Sequence, residues 1–187
     1  WGKHSGSVKL HDRLDRGRER SQPVDRFGEI SGMIETAENL ANEYQISREE
    51  ADAYALSSQH RAAAAWENGA FADEVIPVTV PQRRGDDIVF DKDEGVRPEV
   101  NMEKLGKLRT IIKDGTVTAG NASGINDGAA AVLMMSAAKA AELGLTPMAR
   151  VAGYALSGCA PEIMGMGPVS ASQKALAKAG WAVEDLD

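Results

Sequence analysis

Residues 116–136, TVTAGNASGINDGAAAVLMMS, restrict the fold of this chain more than any other stretch. They open with a β-branched run suited to a strand, pass through small and polar residues, and end in the apolar run 129–135, which suits a buried strand. The middle is therefore expected to be a tight loop made mostly of main chain. Small side chains at Gly120, Ala122, Ser123 and Gly124 let the backbone approach a ligand closely, and glycine also tolerates positive φ. The loop amides and the Ser123 hydroxyl are then the polar contacts on offer. On the loop pattern alone, a Gly-rich turn between two strands that holds no ligand fits these residues better. Neither a phosphate loop ending in G-K-[ST] nor a G-x-G-x-x-G string is present.

Upstream, residues 1–30 are a mixed-charge segment. It carries Lys3, Lys9, Arg13, Arg16, Arg18 and Arg20 against Asp12, Asp15 and Glu19, with His4 and His11 among them. A solvated face fits this pattern better than an anion site. In residues 31–45 Thr36 can cap a short helix, with Leu40 and Tyr44 one turn apart. Ser47-Arg48-Glu49-Glu50 is a stronger start signal, a capping box that predicts a helix to about Trp66. Its inward stripe reads Ala51, Tyr54, Ala55, Ser58, Ala62, Ala65 and Trp66, which leaves His60 off the stripe and solvated.

The period then changes. Residues 75–80 and 87–90 suit strands joined by a turn at Gly85, with Pro77 and Pro81 arguing for an edge position. Residues 101–107 suit a short helix, and residues 136–143 an Ala-rich one closed by Gly144. Residues 150–156 are the next strand candidate, and Ser170-Ala171-Ser172-Gln173 reads as a second capping box for a helix that stops at Gly180. Strands alternating with helices in this order predict an α/β layer.

A formal net charge of −7 with only 5 % aromatic residues argues against a nucleic-acid footprint. An anionic ligand must therefore meet a local basic patch. No apolar run reaches the roughly 20 residues that span a bilayer, so no membrane partner and a cytoplasmic location are expected. The single cysteine, Cys159, excludes a disulfide within the chain and favours a reducing compartment. No zinc pattern is visible, and no metal is expected. The chain starts at Trp1 and breaks off after Gly180 where a strand normally begins, so it is expected to be a piece of a longer one.

The string TVTAGNASGINDGAA, with GCAPEIMGMGP at 158–168, resembles the thiolase family, CoA-dependent acetyltransferases that make or cleave 3-ketoacyl-CoA. The rest of the chain can be laid along that family from Gly2 to Asp187. The resemblance implies an α/β thiolase fold present in part. Residues 1–115 are the loop domain, 116–148 the close of the first α/β half, and 149–187 the opening of the second. It also implies that the opening segment contributes to tetramer assembly. Ser123 resembles the serine that contacts the pantetheine arm of CoA, and Ala119 a small residue of the same channel. Arg97, in DEGVRP, resembles the arginine beside the CoA adenine, where a flat guanidinium can stack and pair with phosphate. Without the family, Arg97 is equally a partner for Asp93 or Glu94. Met33 and Met164 resemble methionines that wall the acyl pocket, and each is core filler by default.

This chain departs from the family at Gly32, where some members have histidine, at Ile34, where glycine is common, and at Lys104, where some have serine. The family's chemistry needs a nucleophilic cysteine to take the acyl group, and a second cysteine with a histidine to deprotonate acetyl-CoA. None of those motifs lies in these residues, and Cys159 in SGCAP has no positioned histidine, so no catalytic residue is assigned and the chain alone is expected to be inactive. The implied partners are acetyl-CoA, 3-ketoacyl-CoA and CoA, with no cofactor beyond these substrates. Two other readings stand beside the enzyme: a non-catalytic acyl-CoA-binding member of the same superfamily, and a helical interaction domain that uses the Ala-rich stripe of residues 51–66.

Overall fold

The computed structural model describes residues 13–21, 24–28 and 32–186. Lys3, His4, Lys9, His11 and Asp12 of the mixed-charge segment lie outside them. The elements in chain order are α1 (Arg13–Ser21), α2 (Val24–Phe27), α3 (Met33–Tyr44), α4 (Arg48–Glu67), β1 (Val78–Val80), β2 (Ile88–Phe90), α5 (Met102–Gly106), α6 (Ala137–Glu142) and α7 (Gly167–Ala179). Two 3-10 turns, Pro161–Met166 and Val183–Asp185, flank α7. The chain divides into two units, one of Trp1–Leu40 with Leu133–Asp187 and one of Ala41–Val132.

The Ala41–Val132 unit is organised on α4. Its start is the capping box read from the sequence: the Glu50 N–H donates to Ser47 Oγ at 3.1 Å, and the Ser47 N–H donates to Glu50 Oε2 at 2.8 Å. Gly69, at φ +71°, lets the chain leave after Asn68 caps the other end. The buried side of α4 is not the Ala-rich stripe alone. Tyr54 is exposed, whereas Asp52, outside the expected stripe, is the buried residue of the helix. A carboxylate reaches that position because polar partners surround it, as the site geometry shows.

β1 and β2 form an antiparallel hairpin with Val78 opposite Phe90 and Val80 opposite Ile88. The pairing is shorter than the expected runs, since Pro77 and Pro81 bracket β1 and neither has an N–H to give a ladder. Gly85, at φ +87°, makes the turn. Trp66 and Phe71, with ring centroids 5.2 Å apart, line a recess of about 500 Å³ together with Val78 and Phe90. α5 begins at its Asn101 cap, whose side chain accepts from the Lys104 N–H, and buries Leu105.

In the other unit, Asn39 at the end of α3's first turns donates to the Glu162 carbonyl at 2.9 Å. α3 starts at Met33, three residues before the expected Thr36 cap. Thr36 is buried inside the helix, its N–H donating to Gly32 O. α7 likewise starts ahead of the expected Ser170 cap: Pro168, with its locked φ, suits the first turn, and the Ser170 hydroxyl is bonded instead to that of Ser157. Residues 150–156 run beside α7, where Lys178 Nζ donates to the Tyr154 carbonyl at 2.9 Å and a Cβ at Gly153 would stand 3.0 Å from Ala175 O. α6 is capped by Ser136, whose side chain accepts from the Lys139 N–H, and ends before the expected Gly144 at φ +65°.

The strands expected at 129–135 and 150–156 are not hydrogen-bonded into a sheet among the described residues. Strand propensity is local, but a ladder needs a second strand alongside, and none lies there. The apolar run is correspondingly open, with Val132 at 81 % and Leu133 at 83 % exposure.

Replacing Ser47 with alanine is expected to lower stability by about 0.5–2 kcal/mol, measured by denaturant unfolding followed by helical circular dichroism. The Ser47 backbone N–H, and after it the hydroxyl, hold the Glu50 carboxyl below its ordinary value. The contribution is therefore present above the unfolded glutamate's pKa and is lost as pH falls through the lowered folded value. A Glu50→Gln variant should flatten that part of the stability profile.

Candidate functional site

The turn at the centre of the opening motif is built from Thr118. A single antiparallel bridge joins Thr118 to Thr110, and the Ile111 N–H donates to Val117 O at 2.9 Å. From that anchor the chain folds back on itself. The Gly120 N–H donates to Thr118 Oγ1 at 3.1 Å and the Ala122 N–H to Thr118 O at 3.0 Å, while Thr118 is wholly buried. The amides of Gly120, Asn121 and Ala122 are thus used within the turn. Fewer loop amides are therefore left for a ligand than the sequence implied.

Glycine gives the turn its close approach at 120: a Cβ there would stand 2.5 Å from Leu108 Cδ1 and 2.6 Å from Leu105 Cδ2, so both leucine side-chain ends would have to shift. The turn is therefore seated directly on α5 and the residues after it.

Asn121 ties the turn to α4. Its Oδ1 accepts from the Thr118 N–H at 2.8 Å, and its Nδ2 donates to Thr116 O at 2.9 Å and to Asp52 Oδ1 at 3.0 Å. The other carboxylate oxygen of Asp52 meets Arg48 Nε at 2.7 Å, and the Arg48 Nη atoms donate to Leu105 O at 2.5 Å and Leu108 O at 3.3 Å. One buried carboxylate thereby joins the start of α4, the end of α5 and the turn. Sequence reading missed all three of these side chains. The available signal was the Arg48/Asp52 i, i+4 spacing, but the partner that makes Asp52 internal lies 69 residues further on.

A groove of about 1310 Å³ opens beside this turn. Ala119, Gly120, Ala122 and Gly124 form one wall, and Arg97, Val100 and Lys104 stand in another part of its lining. α4 also holds the segment that carries Arg97. The Gln59 side chain accepts from the Arg97 N–H at 2.8 Å, the His60 Nε2–H donates to Val100 O at 3.3 Å, and Lys104 Nζ donates to Glu99 O at 2.8 Å. His60 is exposed, as its position off the stripe implied, yet it is tied to the Arg97 segment. The Arg97 guanidinium makes no ion pair with Asp93 or Glu94 among the described residues, whereas Asp93 Oδ1 accepts from the Gly95 N–H.

The structure thus brings Ala119 and Arg97 to one groove. Ser123 is exposed on the same loop, between the lining residues Ala122 and Gly124, without lining the groove itself. Met33 and Met164 belong to the other unit. Met33 opens α3 at 70 % exposure, and Met164 sits in the 3-10 turn at 45 %, its carbonyl 3.7 Å from Cys159 Sγ. No three His, Cys, Asp or Glu side chains converge on one point among the described residues. No described helix is long and apolar enough to cross a membrane.

Comparison with known proteins gives consistent matches. The family described as "Thiolase, N-terminal domain" matches residues 22–138, and "Thiolase, C-terminal domain" matches residues 145–187. An acetyl-CoA acetyltransferase of Chromobacterium violaceum is 64 % identical over 153 residues, covering 81 % of this chain and 39 % of the relative. The protein of the same name from Pseudomonas aeruginosa is 58 % identical over 153 residues, with the same coverage. The chain therefore spans about two-fifths of the length of these relatives. The crystal structure of the Bacillus anthracis acetyl-CoA acetyltransferase superposes with a TM-score of 0.84 at 44 % identity, covering 100 % of this chain and 46 % of that one. Human mitochondrial 3-ketoacyl-CoA thiolase superposes with a TM-score of 0.81 at 44 % identity, covering 100 % and 45 %.

Substituting Gly120 with alanine is expected to cost about 1–3 kcal/mol by overpacking the contact with Leu105 and Leu108. Equilibrium urea unfolding, with Gly128→Ala as the control in open space, measures it.

Proposed function

The chain belongs to the thiolase family and has part of the thiolase α/β fold, and on that footing we propose that it forms part of an acetyl-CoA C-acetyltransferase. In this reading the complete protein condenses two acetyl-CoA to acetoacetyl-CoA, or cleaves 3-ketoacyl-CoA with CoA, through a cysteine acyl-enzyme. The 187 residues supply CoA-binding and assembly elements, and the nucleophile lies elsewhere. CoA and acyl-CoA are substrates, and no further cofactor takes part. Residues 1–115 act as the loop domain, 116–148 close the first half and 149–187 open the second. A cytoplasmic homotetramer acting in fatty acid metabolism completes the proposal.

The observation that supports it is the groove of the Ala41–Val132 unit. A wall of side chains no larger than methyl at residues 119, 120, 122 and 124 admits a slender chain against the backbone, and the Arg97 guanidinium, without an ion pair among the described residues, is available to an anion in the same lining. Those are the complementary features of a thioester's pantetheine arm and its nucleotide end. Ser123, exposed between the lining residues Ala122 and Gly124, serves in this reading as a polar contact to the arm. Met33 and Met164 contribute to the acyl pocket. Because the chain carries a net charge of −7, attraction of CoA depends on this local cation and weakens as salt rises. The exposed apolar run at 129–135 fits the same proposal, being a strand that other parts of the complete protein cover.

Equilibrium binding of CoA to the complete protein, with and without Arg97→Ala plus Ser123→Ala, tests the assignment. The double variant is expected to bind about tenfold or more weakly, a loss of about 1.4 kcal/mol or more. Equal affinity removes the assignment of the groove. Binding without turnover by the complete protein favours the non-catalytic superfamily member.

A further inference from the structure

The buried Asp52 carboxylate has no place in the acyl-transfer chemistry, yet its Oδ1 accepts from the Asn121 carboxamide that also bonds the Thr118 N–H and Thr116 O. We infer that Asp52 is a positioning residue of the groove: held by Arg48, it fixes which way the Asn121 carboxamide faces, and that carboxamide sets the path of residues 116–122. The inference rests on the reading of the groove as a CoA site for its effect on affinity, but its structural half stands on the free protein.

The donor and acceptor pattern carries the argument. An amide is nearly symmetric in shape but not in chemistry, so its orientation is decided by its neighbours. Around Asn121 these are one donor, the Thr118 N–H, and two acceptors, Thr116 O and Asp52 Oδ1. Asp52 is acceptor-only, with its second oxygen committed to Arg48. The carboxylate is thus the outermost lock on a chain that runs from α4 to the backbone of the groove wall. Asp52 is 1 % exposed, so water does not replace a missing partner.

An Asp52→Asn variant keeps the shape and breaks the pattern. If its carbonyl stays on Arg48, its NH2 faces the NH2 of Asn121. If Asn121 flips to relieve this, its NH2 faces the Thr118 N–H and its carbonyl faces Thr116 O. Every arrangement leaves at least one pair of like groups in contact. Adding Asn121→Asp to Asp52→Asn restores an acceptor for both the Thr118 N–H and the new amide, but it sets a carboxylate oxygen against Thr116 O, so the relief is partial. Asn121→Asp alone sets two carboxylates together and is the most damaging of the three.

In the complete protein, at a temperature where circular dichroism shows every variant folded, Asp52→Asn is expected to raise the KM for the CoA substrate about tenfold while kcat changes by less than about threefold. The Asp52→Asn plus Asn121→Asp protein should recover part of that loss, because only the contact with Thr116 O stays mismatched. Hydrogen exchange should quicken at the Gly120 and Ala122 amides and stay unchanged in α7. An unaltered KM, or unaltered exchange at those two amides, overturns the inference. If the parent protein fails to bind CoA, the CoA reading falls; exchange at Gly120 and Ala122 then decides the inference alone, faster exchange in Asp52→Asn sustaining it and unchanged exchange overturning it.

Discussion

The groove exists because a carboxylate is buried at Asp52 and fully answered there. A lone carboxylate in an apolar interior is costly, so the position is tenable only while Arg48 and Asn121 both reach it. That condition couples three segments distant in sequence. Arg48 fastens the end of α5 through the Leu105 and Leu108 carbonyls, Asn121 fastens the turn, and α4 carries the acid between them. Removing one partner of a buried pair costs about 3–5 kcal/mol, because the other is left charged and unanswered. Arg48 keeps some contact with water, at 18 % side-chain exposure, so it can shed part of that cost while Asp52, at 2 %, cannot.

Apolar packing acts around this polar centre rather than in place of it. Leu105 lies under Gly120, and the absence of a side chain at 120 lets the turn descend onto it. The turn then satisfies the amides of Gly120, Asn121 and Ala122 through Thr118, which reduces the polar groups this part of the wall presents. A ligand meeting this wall finds backbone and methyl groups along its length and hydrogen-bonding groups at one edge. α4 supplies order on the other side as well, since Gln59 and His60 hold the segment that presents Arg97. One helix, begun by one capping box, therefore positions both the neutral wall and the cation.

The other unit follows the same economy with different contacts. Pro168 starts α7 and frees Ser170 to bond Ser157, while Gly153 lets residues 150–156 lie against the helix. Residues 129–135 pair with no strand among the described residues, and Val132 and Leu133 are open.

Local signals were sufficient wherever the deciding partners sit within four residues. The Ser47 cap, the Gly144 and Gly180 exits and the Gly85 turn were all legible, because a cap or a positive φ is settled by neighbouring backbone. The small-residue loop and its likeness to thiolases were legible too, being written in one contiguous string. Thr36 and Ser170 misled because hydroxyls that can cap can also be buried or bonded elsewhere, a choice made by packing. What only the tertiary structure decided was the burial of Asp52, its bond to Asn121 and the resulting use of the loop's amides. Those depend on two residues 69 apart meeting in space, and no local preference of either one encodes that meeting.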